Sequence, residues 1–226
     1  AGLPAIVSEN ELGEVREMSW PELRRQVAAV ALTLKSLGVR RGDRVAAYMP
    51  NVPETMVAFL ACSSIGAVWS VCAPDMGTAA VADRFRQIEP TLLIAVDGVH
   101  YGGKPLDRST VLQELRGQLP SVQKLLLVQS PFAANAVAHD VEWQQAIARD
   151  DAEVAAFEPE WLPFDHPIWI VYSSGTTGLP KPIVHGQGGI LLTMHACGLH
   201  NDVGASYGAN NFGERYHWYS STGWVM

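Results

Sequence analysis

Cysteine is scarce in this sequence: three residues, Cys62, Cys72 and Cys197, among 226. An odd, sparse count in apolar surroundings argues against a disulfide framework and for a reducing compartment, the cytoplasm. Positive charge is also short. Sixteen Lys+Arg against 23 Asp+Glu leave a formal net charge of −7, the wrong balance for a general nucleic-acid binder. No apolar run reaches the ~18–20 residues that span a bilayer, so small molecules are the expected partners. No Cys/His cluster carries zinc spacing, and His195 and His200, five residues apart, do not share a helix face. What the chain has instead is apolar side chain, 48% of residues, enough to bury a real core. It starts at Ala1 and stops at Met226 inside the apolar run Gly223-Trp224-Val225-Met226. A piece of a longer protein is therefore expected.

Strand and helix signals alternate along the chain. Ser19, Pro21 and Glu22 make a helix start with a capping box. An apolar stripe follows at Leu23, Val27, Val30, Leu34 and Leu37, and Gly38 supplies the stop. Further helices are expected over Pro53–Ile65, Thr78–Ile88, Ser109–Leu119, Val141–Ala148 and Ile190–Leu199. Strands are expected over Arg44–Met49, Val68–Cys72, Leu92–Val96, Leu125–Val128, Ile168–Tyr172 and Tyr216–Tyr219. Most of these strands are continuously apolar, as in a mostly parallel sheet covered by helices on both faces. The class is α/β. Residues 129–166 are less regular and form the best internal seam, and Gly204–Gly213 reads as a loop.

The densest chemical signal follows the apolar strand at 168–172. Ser173-Ser174-Gly175-Thr176-Thr177-Gly178-Leu179-Pro180-Lys181 brings four hydroxyls, two glycines and a lysine together. The glycines let backbone N–H groups turn toward one anion, and the hydroxyls donate to phosphate oxygens. Lys181 adds a mobile positive charge. The spacing is not that of a standard P-loop, which needs its lysine directly after the second glycine. A plain Ser/Thr/Gly surface loop is the alternative by composition alone.

The string Ser173–Lys181 resembles the phosphate-binding signature of the adenylate-forming enzymes, which include acyl-CoA synthetases, luciferases and peptide-synthetase adenylation domains. Arg41-Gly42-Asp43-Arg44-Val45-Ala46, Met49-Pro50-Asn51-Val52-Pro53-Glu54 and Gly66-Ala67-Val68 are similar to that family's early segments, in the same order. Ile183-Val184-His185-Gly186, Gly188-Gly189 and Ser221-Thr222-Gly223-Trp224 fit the acetyl-CoA/acetoacetyl-CoA synthetase branch. Ala73-Pro74-Asp75-Met76-Gly77, with Asp83-Arg84-Phe85 and Gln87-Ile88-Glu89-Pro90, is closer to its acetoacetyl side. The acetyl side carries a glycine pair where this chain has Pro74-Asp75.

The resemblance implies part of the large N-terminal domain of an acyl-CoA synthetase over residues 1–226. Residues 1–43 and 205–226 would supply an incomplete second sheet, whose exposed surface is a possible dimer contact. It implies ATP, Mg²⁺ and CoA as cofactors and an acid–thiol ligase acting on acetoacetate. Acetate or propionate activation is the nearest alternative, and a phosphotransferase or NTPase with a non-standard loop the more distant one. Ser173, Ser174, Gly175, Thr176, Thr177, Gly178 and Lys181 would hold the ATP phosphates, with Lys181 and Thr177 as the candidate catalytic residues. Lys104, after Tyr101-Gly102-Gly103, is either a contact for the CoA 3′-phosphate or a solvated lysine, and Arg84 and Arg86 pose the same question. Trp224 and Val225 either wall the acyl pocket or pack in a core. His185 either approaches the nucleotide or is structural. No metal ligand is assigned within the chain. The Mg²⁺ ligand is expected after Met226, and the 226 residues alone are expected to be inactive.

Overall fold

The computed structural model describes residues 3–173, 178–200 and Gly223. The chain opens with a short hairpin, β1 (Ile6–Glu9) against β2 (Val15–Met18). Helix α1 (Trp20–Ser36) starts where its sequence predicts: Ser19 caps, its side chain accepting the Glu22 amide, and Pro21 occupies the first turn; the Glu22 carboxylate, expected to complete a capping box, instead accepts from Arg25 and Gln26. The chain then alternates through β3 (Arg44–Tyr48), α2 (Pro53–Ser64), β4 (Val68–Cys72), α3 (Thr78–Phe85) and β5 (Leu92–Val96). A second hairpin, β6 (Gly98–Tyr101) and β7 (Lys104–Asp107), leads into α4 (Ser109–Gln118) and β8 (Lys124–Val128). After β9 (Val141–Glu142) come α5 (Trp143–Ala148), α6 (Ala152–Ala155), β10 (Pro167–Ser173), β11 (Lys181–Gly186) and α7 (Gln187–His200).

Seven strands form one sheet in the order β11-β10-β4-β3-β5-β8-β9. Every pairing in it is parallel except β10 with β11. Period-two alternation sends each central strand into two cores. Val45, Ala47, Leu92, Ile94 and Trp69 face α1, α2 and α5, while Ala46, Tyr48, Leu93 and Ala95 face α3 and α4. That double burial explains why these strands read as continuous apolar runs. The observed class is the α/β sheet with helices on both faces. Among the described residues no helix is long and apolar enough to cross a membrane.

The structure departs from the sequence expectations at several boundaries. Helix α3 ends at Phe85 rather than Ile88. The Arg44 guanidinium captures the Ile88 and Glu89 carbonyls at 2.7 and 3.0 Å, and Glu89 turns to φ +46°. The Val141–Ala148 helix gives its first two residues to β9, which pairs with β8. Residues 129–166, read as a seam, thus add a strand to the main sheet and place Trp143 in its core. Helix α7 starts at Gln187, three residues before Ile190. Residues 1–43, read as part of an incomplete second sheet, hold β1–β2, a two-stranded sheet separate from the main one and compatible with that reading, and α1, whose Ala29, Val30, Ala31 and Leu34 are fully buried. Residues 204–213 and 216–219 lie outside the described residues.

Candidate functional site

Strands β4, β3, β5 and β10 run parallel, so their C-terminal ends share one edge of the sheet. Strand β3 leads to β4 through α2 on one face, and β5 leads to β8 through α4 on the other. The loops leaving β3 and β5 therefore diverge, which is where open α/β sheets hold ligands.

Ser173 and Lys181, the first and last residues of the Ser173–Lys181 string, sit on this edge. Strand β10 ends at Ser173 and β11 begins at Lys181, and the two residues are register partners. The loop between them starts and ends on a closed base. Gly178 and Lys181 are exposed and Ser173 is half-buried. Ser174, Gly175, Thr176 and Thr177 lie outside the described residues. Sequence reasoning did not foresee β11 and placed Lys181 in the loop; the structure makes it the first residue of a strand. Of the chain's four lysines, Lys35 pairs with Glu160 and Lys124 with Asp140. Lys104 and Lys181 form no ion pair among the described residues.

Strand β10 is held from both sides. Its parallel pairing with β4 is centred on Trp169 opposite Trp69. The fully buried Ser70 hydroxyl adds a donor to the Ile170 carbonyl at 2.9 Å. The Tyr172 hydroxyl donates to the Arg84 carbonyl at 3.0 Å, and burial pushes its phenol pKa upward. His185, on β11, lies with its ring centroid 6.3 Å from that of Trp169.

The turn from β4 into α3, Pro74–Gly77, is fixed by Tyr48. That side chain is fully buried, and its hydroxyl donates to the Pro74 carbonyl at 2.7 Å and lies 2.9 Å from that of Met76. Burial pushes the phenol up to about 12. Gly223 approaches the same end of β4: a Cβ there would meet the Val71 carbonyl oxygen at 2.5 Å. Gly223 thus comes close to the strand next to β10. Trp224 and Val225 themselves lie outside the described residues.

Lys104 opens β7, beyond the C-terminal end of β5, and is exposed. The turn before it is an anion nest. The amides of Gly102 and Gly103, at φ +61° and +76°, both donate to the Glu11 carboxylate, at 2.9 and 3.0 Å. His100 Nδ1 lies 3.0 Å from the same carboxylate. The Gly103 amide, then the Gly102 amide, hold Glu11 below its ordinary pKa. In this structure the chain's own carboxylate occupies the nest beside Lys104. Strand order places β5 three inter-strand steps from β10, about 14 Å at ~4.8 Å per step. Lys104, beyond β5, and Lys181, at the start of β11, are therefore placed over different strands of one edge.

Arg84 and Arg86 are committed elsewhere. The Arg84 guanidinium donates to the Ala80 carbonyl at 2.6 Å and lies 5.8 Å from the Tyr172 ring centroid. Arg86 donates to the Gln118 side chain at 2.7 Å. Among the described residues no group of three His, Cys, Asp or Glu is placed to hold a metal ion. Glu11 and Tyr48 were missed by sequence reasoning, and Gln87 was read only as part of the Gln87–Pro90 string. A lone tyrosine at the end of an apolar strand was the one available signal.

The AMP-binding enzyme family model matches residues 1–226. The acetoacetyl-coenzyme A synthetase of Rhizobium meliloti (strain 1021) is 40% identical over 229 residues, covering 98% of this chain and 33% of that protein. An acetyl-coenzyme A synthetase of Streptomyces avermitilis is 38% identical over 198 residues, covering 85% of this chain and 30% of that protein. Among solved structures, the acetoacetyl-CoA synthetase from Streptomyces lividans superposes with a TM-score of 0.88 at 45% identity. That match covers 98% of this chain and 32% of that one. The chain spans about a third of the length of these relatives.

Proposed function

The chain belongs to the AMP-binding enzyme family, and from that premise we propose that the protein carrying it is an ATP-dependent acid–thiol ligase that activates acetoacetate. The observation that carries the reading is the β10–loop–β11 unit: a hydroxyl- and glycine-rich loop on a closed Ser173–Lys181 base, flanked by a lysine with no ion-pair partner among the described residues.

In the first half-reaction the acid's carboxylate oxygen attacks the α-phosphorus of ATP, and the bond to pyrophosphate breaks. In the second, the CoA thiol gives up its proton, forms the thioester bond and releases AMP. The first step brings an anion against a polyanion, and charge moves onto the leaving pyrophosphate. Fixed donors aimed at that charge are what the protein must supply. Ser173, Ser174, Gly175, Thr176, Thr177 and Gly178 would hold the β- and γ-phosphates, with Thr176 and Thr177 in direct contact. Lys181 would neutralise charge as pyrophosphate leaves and order the loop; it transfers no proton. Its ammonium, without an ion pair among the described residues, fits a polyanion. The described residues do not fit a Mg²⁺ site of their own, so no step here is assigned to a metal. Lys104 would meet the 3′-phosphate of CoA, and Trp224 and Val225 would wall a small acyl pocket. Acetoacetate is favoured over acetate by the Pro74-Asp75 turn and by the 40% relative's name. The acetyl-CoA synthetase at 38% makes acetate the second reading.

The test is carried out on the complete protein. AMP release is followed with acetoacetate, acetate, propionate and butyrate, alongside carboxylate-dependent pyrophosphate exchange. AMP formation with a preference for acetoacetate supports the proposal. A preference for acetate overturns the substrate but keeps the reaction class, and ADP with phosphate overturns the class. Lys181→Ala should slow adenylate formation more than it weakens carboxylate binding.

A further inference from the structure

We propose that Gln87 is a positioning residue for the phosphate loop, and that the last turn of α3 and the residues just after it bracket both described stems of that loop. The inference rests on the phosphate-loop reading above. On the entry side, the Tyr172 hydroxyl donates to the Arg84 carbonyl at 3.0 Å. On the exit side, the Pro180 carbonyl accepts from Gln87 Nε2 at 2.9 Å. Arg84 and Gln87 are three residues apart, one helical turn, so the two stems lean on neighbouring points of one rigid support.

The chemistry of each partner sharpens the assignment. Pro180 has no N–H, so its carbonyl is the one backbone polar group through which it can be held. That carbonyl belongs to the peptide joining Pro180 to Lys181. Fixing its direction fixes the peptide plane from which Lys181 leaves. Gln87 Nε2 also donates to the Asp83 carbonyl at 2.7 Å. Both amide hydrogens are thus committed to carbonyl oxygens, and a flipped amide would set its oxygen against two acceptors. The side chain is held at its base by the helix and reaches the loop with its second hydrogen. The support is itself anchored, since Val81, Ala82 and Phe85 are buried against the sheet. The guanidinium of Arg84 covers the Tyr172 ring and braces the entry stem from the same side. Preorganised donors act only if they stand in place before charge develops, and a bracket on both stems supplies that order.

The experiment uses the complete protein and three variants of one position. Gln87→Ala removes the donor, Gln87→Glu keeps the size but replaces the donor by an acceptor, and Gln87→Lys restores a donor of similar reach. Pyrophosphate exchange is measured over a range of ATP concentrations, and the thiol-dependent half-reaction is measured from preformed acyl-adenylate. The expected result is a loss of about three- to tenfold in kcat/KM for ATP in the Ala variant, the size of one neutral hydrogen bond. The loss should be larger in the Glu variant and largely recovered in the Lys variant, with the thiol step unchanged in all three. A general folding defect would lower both half-reactions together and would not be rescued by Lys. Unchanged ATP kinetics in both Ala and Glu variants, or a Lys variant as impaired as Ala, overturns the positioning role. Lys181→Ala, run beside them, separates the two levels. If it slows adenylation while the Gln87 variants do not, the loop reading stands and the bracket falls. If it too changes nothing, the loop reading falls first.

Discussion

Ser70→Ala is the sharpest test of how the strand that carries the loop is attached. Strand β10 meets the parallel sheet around a single register pair, Trp169 opposite Trp69. One fully buried hydroxyl, Ser70, donates across that junction to the Ile170 carbonyl at 2.9 Å. Alanine removes only the oxygen, so no clash is introduced, and the Ile170 carbonyl loses a buried partner. Stranding a buried acceptor costs about 1–3 kcal/mol. At ~1.4 kcal/mol per factor of ten, that is roughly a 5- to 150-fold rise in the open population. A chain of this length loses about 2–4 °C in Tm per kcal/mol, so a fall of about 2–12 °C is expected. Urea unfolding followed by tryptophan fluorescence reads the change, because Trp69 and Trp169 sit at the junction. The midpoint should fall while the m-value holds, and amide exchange should quicken in residues 168–173 before β5. Ser36→Ala is the control: that exposed hydroxyl bonds its own helix at the Thr33 carbonyl. If Ser70→Ala shifts the midpoint no more than Ser36→Ala, the attachment does not depend on this bond and the reasoning fails.

Gly223→Ala would place a methyl group 2.5 Å from the Val71 carbonyl oxygen. Backbone must move to relieve it, at about 1–3 kcal/mol, and amide exchange over Val68–Cys72 should quicken; unchanged exchange would contradict the close approach. The Glu11 carboxyl is held below its ordinary pKa by the Gly103 and Gly102 amides. Its contribution is therefore complete above the ordinary carboxylate pKa and is lost as pH falls through the lowered folded value. Amide protection at Gly102 and Gly103 should drop in acid, and Glu11→Gln should reduce it at neutral pH; protection that ignores both changes refutes the nest. Burial pushes the Cys72 thiol up to about 12 and raises the Cys62 thiol as well. Iodoacetamide at pH 8 should leave both unmodified until urea is added, and early labelling of either would contradict the packing.

The central strands were legible because burial on both faces erases alternation and leaves runs such as Leu92–Val96. Helix α1 was legible because Ser19, Pro21 and Glu22 carry their mechanism locally. What escaped sequence reasoning depends on distant partners. Nothing near Ile88 announces that Arg44, far away in sequence, will capture its carbonyl and stop α3 early. Strand β9 is two residues long and exists because β8 offers an open edge. The β6–β7 hairpin turns on Gly102-Gly103, yet its fixed position comes from Glu11, 91 residues earlier for Gly102. The Ser173–Lys181 string was visible in the sequence, while the hydrogen bonds at its two stems were not. Gln87 and Tyr172 are ordinary residues until the fold brings α3 beside β10.

Net charge and site charge also separate in physical terms. A chain at −7 looks unsuited to polyanions if its field is averaged, but screening confines such interactions to about 8–10 Å at ordinary ionic strength. Within that radius the commitments of individual lysines decide. Lys35 and Lys124 are neutralised by Glu160 and Asp140, away from the edge formed by the C-terminal ends of the parallel strands. Lys104 and Lys181 stand at that edge, beyond β5 and at the loop's exit, with no paired carboxylate among the described residues. Ion pairing has removed the lysines that lie elsewhere and left these two available. The same logic applies to Glu11: the acidic surplus places a carboxylate in an amide nest at this edge. Any anion entering beside Lys104 must displace that carboxylate before it can use the Gly102 and Gly103 amides.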